Sequence, residues 1–219
     1  MVKLLIATRN DHKTKEIQAM LGAGFQCHTL KSYPGAPEVI EDAGTFAGNA
    51  AKKATELAVW LGRALPLGSE GIPDFVLADD SGLEVDALGG APGVHSARFA
   101  AMDSGAKGNS LDADNNAKLL RLLKDVPPEK RTARFRCVIA LVQRPSLVDP
   151  ANLPVQMFDG ACEGRIDFAP RGQGGFGYDP LFVPSGFELS FAELGETAKN
   201  QISHRAKALE KLRVALASA

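Results

Sequence analysis

The stretch that decides the fold of this 219-residue chain is Phe75-Val76-Leu77-Ala78-Asp79-Asp80-Ser81-Gly82-Leu83-Glu84-Val85-Asp86-Ala87-Leu88. Its apolar start and its alternating end flank the five residues 78–82, which predicts a strand, an acidic turn and a second strand. Two adjacent carboxylates beside a hydroxyl are a typical place for Mg²⁺, which takes a few carboxylate oxygens together with waters and phosphates. Because Asp and Gly favour turns anyway, an Asp-rich surface turn is the alternative interpretation.

Helices and strands interleave on both sides of this stretch. The apolar periodicity predicts strands over 3–8, 133–143, 157–166 and 178–183, and helices over 13–21, 45–61, 112–124 and 202–216. Residues rich in Gly and Pro predict loops over 31–44, 62–74 and 89–110. This alternation predicts an α/β fold with a mixed sheet, formed by a single domain over residues 1–219.

Bulk composition excludes several classes of partner. The net charge is -1, from 25 Lys and Arg against 26 Asp and Glu, so no basic field for a polymeric nucleic acid is present. The three cysteines show no CxxC spacing, which favours a reducing compartment. Because the N-terminal apolar run is too short for a signal peptide and no stretch reaches the length of a membrane span, we expect a soluble cytoplasmic protein.

The segment Thr8-Arg9-Asn10-Asp11-His12-Lys13 joins the first strand to the first helix. A helix N-terminus presents N–H groups and a positive dipole end, which suit a phosphate, and Lys13 adds a charge. The glycines of a Walker A loop are missing. An ordinary capped turn remains the alternative interpretation.

The segment Gly172-Gln173-Gly174-Gly175-Phe176-Gly177 satisfies GxGxxG by letter. A dinucleotide site requires a strand before it and a helix after it, and the following residues indicate a strand instead, so we reject that site. A glycine-rich loop ending in Phe176 suits a flat ring that approaches the backbone, with Phe176 as a stacking platform. Phe176 in the core of a hairpin is the alternative.

Basic residues gather around the cap candidate Ser203, at the predicted start of the last helix: Lys199, His204 and Arg205. Positive side chains at a helix N-terminus oppose the macrodipole, which suggests a ligand-facing role, whereas an exposed solvated turn is the alternative. The four histidines show no zinc spacing, and no serine-hydrolase elbow is present.

Six segments, in this order, resemble the inosine triphosphate pyrophosphatase family, also called XTP/dITP diphosphatases: Thr8-x-Asn10-x-x-Lys13-x-x-Glu16, Glu41-Asp42-x-Gly44-x-Phe46-x-x-Asn49-Ala50-x-x-Lys53-Ala54, Ala78-Asp79-Asp80-Ser81-Gly82-Leu83, Leu88-Gly89-Gly90-Ala91-Pro92-Gly93-Val94-His95-Ser96-Ala97-Arg98, Gly174-Gly175-Phe176-Gly177-Tyr178-Asp179-Pro180-Leu181-Phe182 and Ser203-His204-Arg205. The resemblance implies an elongated, two-lobed α/β fold with the nucleotide cleft between the lobes. It implies a homodimer that hydrolyses noncanonical purine triphosphates (ITP, dITP and XTP) to the monophosphate and pyrophosphate with Mg²⁺, which cleanses the nucleotide pool.

The resemblance also implies roles for individual residues. Glu41 and Asp80 would hold the metal, with Asp80 activating water and Lys53 as the second catalytic residue. The substrate would bind to Thr8, Arg9, Asn10, Asp11, His12, Lys13, Ser81, Phe176, Gly177, Tyr178, Asp179, Lys199, His204 and Arg205. Among these, His204 and Arg205 could donate to the 6-oxo group of hypoxanthine or xanthine, where adenine carries an amino group. This chain departs from the family pattern at His12, at Cys162 and in the longer segment 62–74.

Two other functions stay open at this point. A pyrophosphatase for pyrimidine or other modified nucleotides would keep the phosphate chemistry and change the base pocket. A nucleotide-binding regulator without catalysis is the second, and the presence of Glu41, Asp80, Lys13 and Lys53 argues against it.

Overall fold

A computed structural model describes residues 1–65, 71–105, 108–144 and 153–217 of the chain. It contains six strands: β1 (Val2–Ile6), β2 (Phe25–Thr29), β3 (Phe75–Val85), β4 (Thr132–Gln143), β5 (Val155–Ile166) and β6 (Phe182–Pro184). The α-helices are α1 (Asp11–Leu21), α2 (Phe46–Ala64), α3 (Ala101–Ser104), α4 (Asp112–Leu122), α5 (Phe191–Ile202) and α6 (His204–Ala217). The predicted α/β class is confirmed.

The strands form a mixed sheet in the order β2-β1-β3-β4-β5-β6. β1 pairs in parallel with both β2 and β3, whereas β5 and β6 are antiparallel. Leu4, Leu5 and Ile6 of β1 are almost fully buried, as expected of a strand between two parallel neighbours with both faces covered. The mixed sheet was therefore predicted correctly from the sequence.

The predicted acidic turn at 78–82 is wrong. These residues continue a single strand, β3, in which Asp79 and Asp80 are 1% and 6% exposed. The prediction rested on the break in the apolar pattern at the two carboxylates, between an apolar run and an alternating one. Inside the strand they are compensated by lysine and amide groups from α1 and α2, so the chain does not need to turn.

Helix α2 forms as its sequence pattern predicts. Thr45 is the N-cap, and its hydroxyl accepts a hydrogen bond from the Gly48 N–H at 3.0 Å. The apolar stripe of the helix is buried: Phe46, Ala50, Ala54, Leu57 and Leu61. Asn49 and Lys53 lie on a buried face as well. Of the predicted loop 62–74, residues 62–64 belong to α2 and residues 66–70 lie outside the described residues.

The C-terminal third differs from the prediction in three places. Residues 178–181 form a turn, and the strand begins only at Phe182. The unpredicted helix α5 precedes α6; Ser190 caps it in a capping box with Glu193. Lys199 lies in the last turn of α5, where a positive charge suits the macrodipole, and not at the start of the last helix.

The chain divides into two compact units. Unit 1 comprises residues 1–80, 138–159 and 208–219, and its buried apolar residues include Leu5, Ile17, Leu61 and Leu77. Unit 2 comprises 81–137 and 160–207 and contains an apolar cluster: Leu83, Val85, Phe99, Leu119, Leu123, Ala133, Phe135, Cys162, Ile166, Tyr178, Leu181, Phe182 and Phe191. The single domain over 1–219, the two lobes and the nucleotide cleft stay predictions.

Candidate active site

The first candidate site lies in unit 1 at Asp79 and Asp80 of β3. Because consecutive residues of a strand face opposite sides of the sheet, Asp79 is directed to α1 and Asp80 to α2. The Asp79 carboxylate contacts the Lys13 ammonium at 2.5 Å, and its side chain is fully buried. Lys13 follows the N-cap of α1 by one turn, so the helix start places its ammonium at the strand.

Helix α2 supplies two polar side chains on the other face of β3. Asn49 donates from Nδ2 to Asp80 Oδ2 at 3.0 Å and accepts the Ala43 N–H at 2.9 Å. Lys53 Nζ donates to the Asp79 carbonyl at 2.8 Å and lies 3.7 Å from Asp80 Oδ1 and 3.2 Å from Glu41 Oε1. One ammonium group thus touches both carboxylates that the resemblance assigns to the metal. We call Glu41, Asp79, Asp80, Lys13 and Lys53 the acidic cluster.

Charge in the acidic cluster is not balanced, because three carboxylates face two ammonium groups. Burial raises the pKa of Asp80 to about 6. Lys53 and Lys13 oppose that rise in the pKa, Glu41 adds to it by repulsion, and the Asn49 hydrogen bond lowers it. An additional cation at this place would therefore be favourable.

The donor set of the acidic cluster fits a hard divalent cation. Glu41 and Asp80 offer carboxylate oxygens, the ligands that Mg²⁺ prefers. Among the described residues, no group of three or more His, Cys, Asp and Glu side chains is arranged to hold a metal ion. Two carboxylates without a complete protein cage are typical of Mg²⁺ sites in which substrate phosphates and waters complete the coordination shell.

The segment 8–13 is held by hydrogen bonds from its own backbone N–H groups to its own side chains. Asn10 is the N-cap of α1, and its Oδ1 accepts the N–H groups of His12 and Lys13 at 2.9 and 3.1 Å. The Thr8 hydroxyl accepts the Asn10 N–H at 3.1 Å. The helix begins at Asp11, two residues before the predicted start. The side chain of Asn10 thus serves the cap, and phosphate binding by this segment stays a prediction.

Two other predicted residues of that segment connect it to its surroundings. Arg9 donates to the Ala36 carbonyl at 3.1 Å, in the same loop that carries Glu41. The exposed carboxylate of Asp11 pairs with Lys31 at 2.8 Å, which lowers the pKa of Asp11. Surface pairs of this kind contribute little to stability.

The second candidate site lies in unit 2 and centres on the loop 172–179. The Asp179 carboxylate contacts the Lys199 ammonium at 2.5 Å, with side-chain exposures of 2% and 4%. Asp179 Oδ2 also accepts the Phe176 N–H at 2.9 Å. Lys199 Nζ lies 4.4 Å from the centroid of the Phe176 ring. Phe176 is half-buried and lies outside the apolar cluster, so its alternative placement in a hairpin core is wrong.

Tyr178 and Gly177 belong to the same loop, but they contact other parts of unit 2. The Tyr178 side chain lies in the apolar cluster, and its hydroxyl donates to the Ser96 carbonyl at 2.9 Å. Burial raises the pKa of Tyr178. The backbone of Gly177 is bonded to α4 through its N–H and its carbonyl. The Tyr178 hydroxyl and both hydrogen-bonding groups of the Gly177 backbone are thus engaged within unit 2, and contact of these two residues with a substrate stays a prediction.

Arg205 and His204 open α6 and are buried, with exposures of 1% and 4%. The alternative prediction of an exposed, solvated turn at these residues is therefore wrong. Arg205 donates from Nη2 to the Ser81 hydroxyl at 2.9 Å. The His204 imidazole stacks on Phe135 with ring centroids 4.9 Å apart. Ser203 accepts the Ala206 N–H at 3.2 Å, as expected of the cap candidate.

The structure thus brings the predicted residues together in two groups, one in each unit. Sequence reasoning missed Asp79 as the partner of Lys13, and it gave no role to Asn49, which lies four residues before Lys53 in α2. The spacing of four residues was the signal that could have found Asn49, since such residues lie on the same helical face.

The protein is thus an α/β protein with two buried lysine–aspartate pairs, and one of the pairs lies beside an unbalanced group of carboxylates. The chain belongs to the Ham1 family, because the sequence model of that family matches residues 4–215.

Individual relatives agree over nearly the whole length. A dITP/XTP pyrophosphatase of Desulforamulus reducens is 47% identical over 211 residues, 96% of this chain and 93% of the relative. One of Geobacillus kaustophilus is 46% identical, covering 97% and 93%. A HAM1 protein from Coxiella burnetii superposes with a TM-score of 0.81 at 34% identity, covering 100% of both chains. The Staphylococcus aureus Ham1 protein gives 0.77 at 32% identity, covering 99% and 98%.

Proposed function

We propose that this chain hydrolyses noncanonical purine nucleoside triphosphates, namely ITP, dITP and XTP, to the monophosphate and pyrophosphate. The observation that carries the proposal is the acidic cluster, present in a chain 44–47% identical to dITP/XTP pyrophosphatases over nearly its full length. Removal of such nucleotides from the nucleotide pool is the role that follows from this activity.

The phosphate chemistry is assigned to unit 1. Lys13 and Lys53 are the positive groups that would stabilise charge on the departing pyrophosphate. Because three carboxylates already face these two lysines, a triphosphate would meet net negative charge there. This imbalance supports the proposal that Mg²⁺ is required, held by Glu41 and Asp80. When bound, Mg²⁺ would neutralise phosphate charge and polarise a water.

Asp80 is the proposed proton acceptor for the attacking water. In the metal-free protein burial raises the pKa of Asp80 to about 6, so at neutral pH the carboxylate is mostly ionised and can accept a proton. Asn49 binds Oδ2 of Asp80, which leaves Oδ1 on the side of Lys53. The proton would thus move to Oδ1.

Recognition of the base is assigned to unit 2. Phe176 is the proposed stacking surface, and Lys199 and Asp179 hold its loop. Arg205 and His204 are the proposed donors for the 6-oxo group that hypoxanthine and xanthine share. Both are almost fully buried, so a base with an amino group at that position would set one donor against another there, at a cost.

A triphosphate panel tests the function. The protein is incubated with ITP, XTP, dITP, ATP, GTP and pyrimidine triphosphates, with Mg²⁺ or with EDTA, and the release of pyrophosphate is measured. We expect fast release from the first three only, and only with Mg²⁺. Glu41→Gln should abolish turnover, whereas Asp42→Asn, the same loss of charge on the neighbouring exposed residue, should not. Preference for a pyrimidine, or binding without release, would contradict the proposal.

Assembly and location are part of the same proposal. We infer a homodimer, as the family resemblance implies, and a location in the cytoplasm, as the composition favours. None of the three cysteines, all of which the structure describes, forms a disulfide, which supports a reducing compartment. Within the described residues, no helix has both the length and the apolarity needed to cross a membrane. Light scattering coupled to size-exclusion chromatography measures the mass of the assembly; a mass of one chain would contradict the dimer.

A further inference from the structure

The loop that carries Phe176 is fastened at Gly177 by two side chains of α4. Asp112 Oδ2 accepts the Gly177 N–H at 2.6 Å, and Asn116 Nδ2 donates to the Gly177 carbonyl at 3.0 Å. The two residues are four apart, so they lie on one face of the helix. Both hydrogen-bonding groups of a single residue are therefore bound by one helical turn.

Gly177 needs such fastening because its conformation is available mainly to glycine. Its φ is 63°, and those of Gly172 and Gly175 in the same loop are 82° and 76°. Glycine in this region carries the largest loss of backbone entropy when it is fixed. The loop thus has little intrinsic order, and its position depends on contacts from outside.

The contacts within unit 2 divide into two kinds. Lys199 and Phe176 N–H bind Asp179, which closes the loop on itself and on α5. Among the hydrogen bonds described for residues 176 and 177, those with Asp112 and Asn116 are the ones that connect the loop to α4. Asp112 is exposed and lies outside the apolar cluster, so the fold does not need it for its core.

We propose that Asp112 and Asn116 are positioning residues that hold the Gly177 peptide and thereby keep Phe176 in place for the nucleotide base. This inference rests on the proposed function, and it adds two residues of α4 to the base-recognition site. Neither residue touches the reacting phosphate in this assignment. Their loss should therefore weaken substrate binding more than it slows the chemical step.

Asp114 provides a matched control. It lies in the same first turn of α4, carries the same charge and is exposed. Asp112→Ala and Asp114→Ala remove the same favourable interaction with the helix dipole. Only Asp112→Ala removes the acceptor of the Gly177 N–H. Any difference in the KM or in amide exchange between the two variants is therefore due to the loss of the hydrogen bond to the loop.

The test combines kinetics with amide hydrogen exchange. In Asp112→Ala we expect the KM for ITP to rise about tenfold, the effect of losing one charge-assisted hydrogen bond, with kcat within about twofold. Exchange of the Gly177 amide should accelerate by about the same factor. Asp112→Asn should show a smaller change in both, because its amide oxygen still accepts, and Asn116→Ala should raise the KM in the same direction.

Three outcomes would overturn the inference. They are unchanged Gly177 exchange in Asp112→Ala, an equal rise of the KM in Asp114→Ala, and a fall of kcat without a change of the KM. If the wild-type protein released no pyrophosphate from ITP, the proposed function would fail. The positioning of Gly177 would then stand or fall on the exchange rates, which need no substrate.

Discussion

The two candidate sites are built around the same element, a buried lysine–aspartate pair, and differ in what surrounds it. In unit 1 the Lys13–Asp79 pair is joined by Lys53, Asp80 and Glu41, so carboxylates exceed cations by one. In unit 2 the Lys199–Asp179 pair lies near an aromatic ring and is sealed more completely. The first arrangement invites a further cation and phosphate chemistry, whereas the second fixes a loop.

Exposure separates the two pairs as well. The side chain of Lys13 is 16% exposed, and that of Lys199 is 4% exposed. A lysine with access to solvent can exchange its partner for a ligand phosphate, because its long stem lets the ammonium move. A lysine without that access acts through its position. The comparison predicts that variants in unit 1 affect mainly turnover and those in unit 2 mainly stability or substrate binding.

The largest expected effect is on turnover, from Asp80→Asn. The change keeps the size of the side chain and removes its charge and its proton acceptor, so hydrolysis of ITP should fall about 10²–10⁴-fold. Initial rates of pyrophosphate release measure this loss. A folded variant with a near wild-type rate would show that Asp80 has neither the metal role nor the base role.

The next effect is on stability and compares the two pairs directly. Asp179→Asn should lower the free energy of unfolding by about 3–5 kcal/mol, because it leaves the buried Lys199 without its carboxylate. Asp79→Asn should cost clearly less, since Lys13 can reach solvent. Urea denaturation of both variants gives the two values. Equal losses would contradict the distinction between a sealed pair and an accessible one.

Asp80 should also limit the stability of the metal-free protein. Its folded-state pKa of about 6 lies above the ordinary value of 3.8. The stability linked to this proton is therefore complete below pH 3.8 and is lost as the pH rises through 6. In EDTA, the free energy of unfolding of Asp80→Asn should exceed that of the wild type by up to about 3 kcal/mol at pH 8, and by less than about 1 kcal/mol near pH 4. A variant that is less stable at pH 8 would refute the sign.

Phe176→Ala tests the stacking surface. We expect the KM for ITP to rise about tenfold, in line with the loss of one base–aromatic stack, while the free energy of unfolding changes by less than about 1.5 kcal/mol. Removal of a core Phe would instead cost about 3–5 kcal/mol. A large drop in the melting temperature with an unchanged KM would place Phe176 in a structural role.

The smallest effect is expected from Ser81→Ala, which removes the hydroxyl that accepts from Arg205. The Arg205 guanidinium would then be less firmly oriented. We therefore expect the ratio of kcat/KM for ITP to that for ATP to fall about threefold, which corresponds to one modest hydrogen bond. The ratio cancels effects on the triphosphate that both substrates share. An unchanged ratio would separate Arg205 from base recognition.

The sequence predicts most of the fold because the apolar periodicity is strong where the core lies. The predicted helix 45–61 and the predicted strand 133–143 both form, and their apolar residues, among them Leu57, Leu61, Phe135 and Ile139, are buried. Helix α5 was not predicted because its amphipathic pattern is interrupted by Gly195, which has a φ of 78° and lies inside the helix. Because glycine has a low helix propensity, local propensity predicts that a helix ends there.

The candidate site shows where local patterns stop being informative. Four of the five residues of the acidic cluster were proposed for the site from the sequence, but the strand of Asp79 and Asp80 was mistaken for a turn because its lysine partners come from residues 13 and 53. The likeness of Asp-Asp-Ser-Gly to a turn is a statement about isolated peptides. Only tertiary contacts show that these carboxylates are compensated, and those contacts cannot be seen in the segment alone.

The adjacency of Asp79 and Asp80 in a strand has a consequence for how this protein tolerates change. One aspartate faces α1 and the other α2, and the register Leu5↔Val76 and Ile6↔Leu77 with β1 fixes which is which. Inserting one residue between Leu77 and Asp79 would exchange the two sides, since the side chains of a strand alternate strictly. Inserting two would restore the faces but move both carboxylates about 6–7 Å along the strand, away from Lys13 and Asn49. The acidic cluster therefore fixes both the parity and the length of β3 between Leu77 and Asp79.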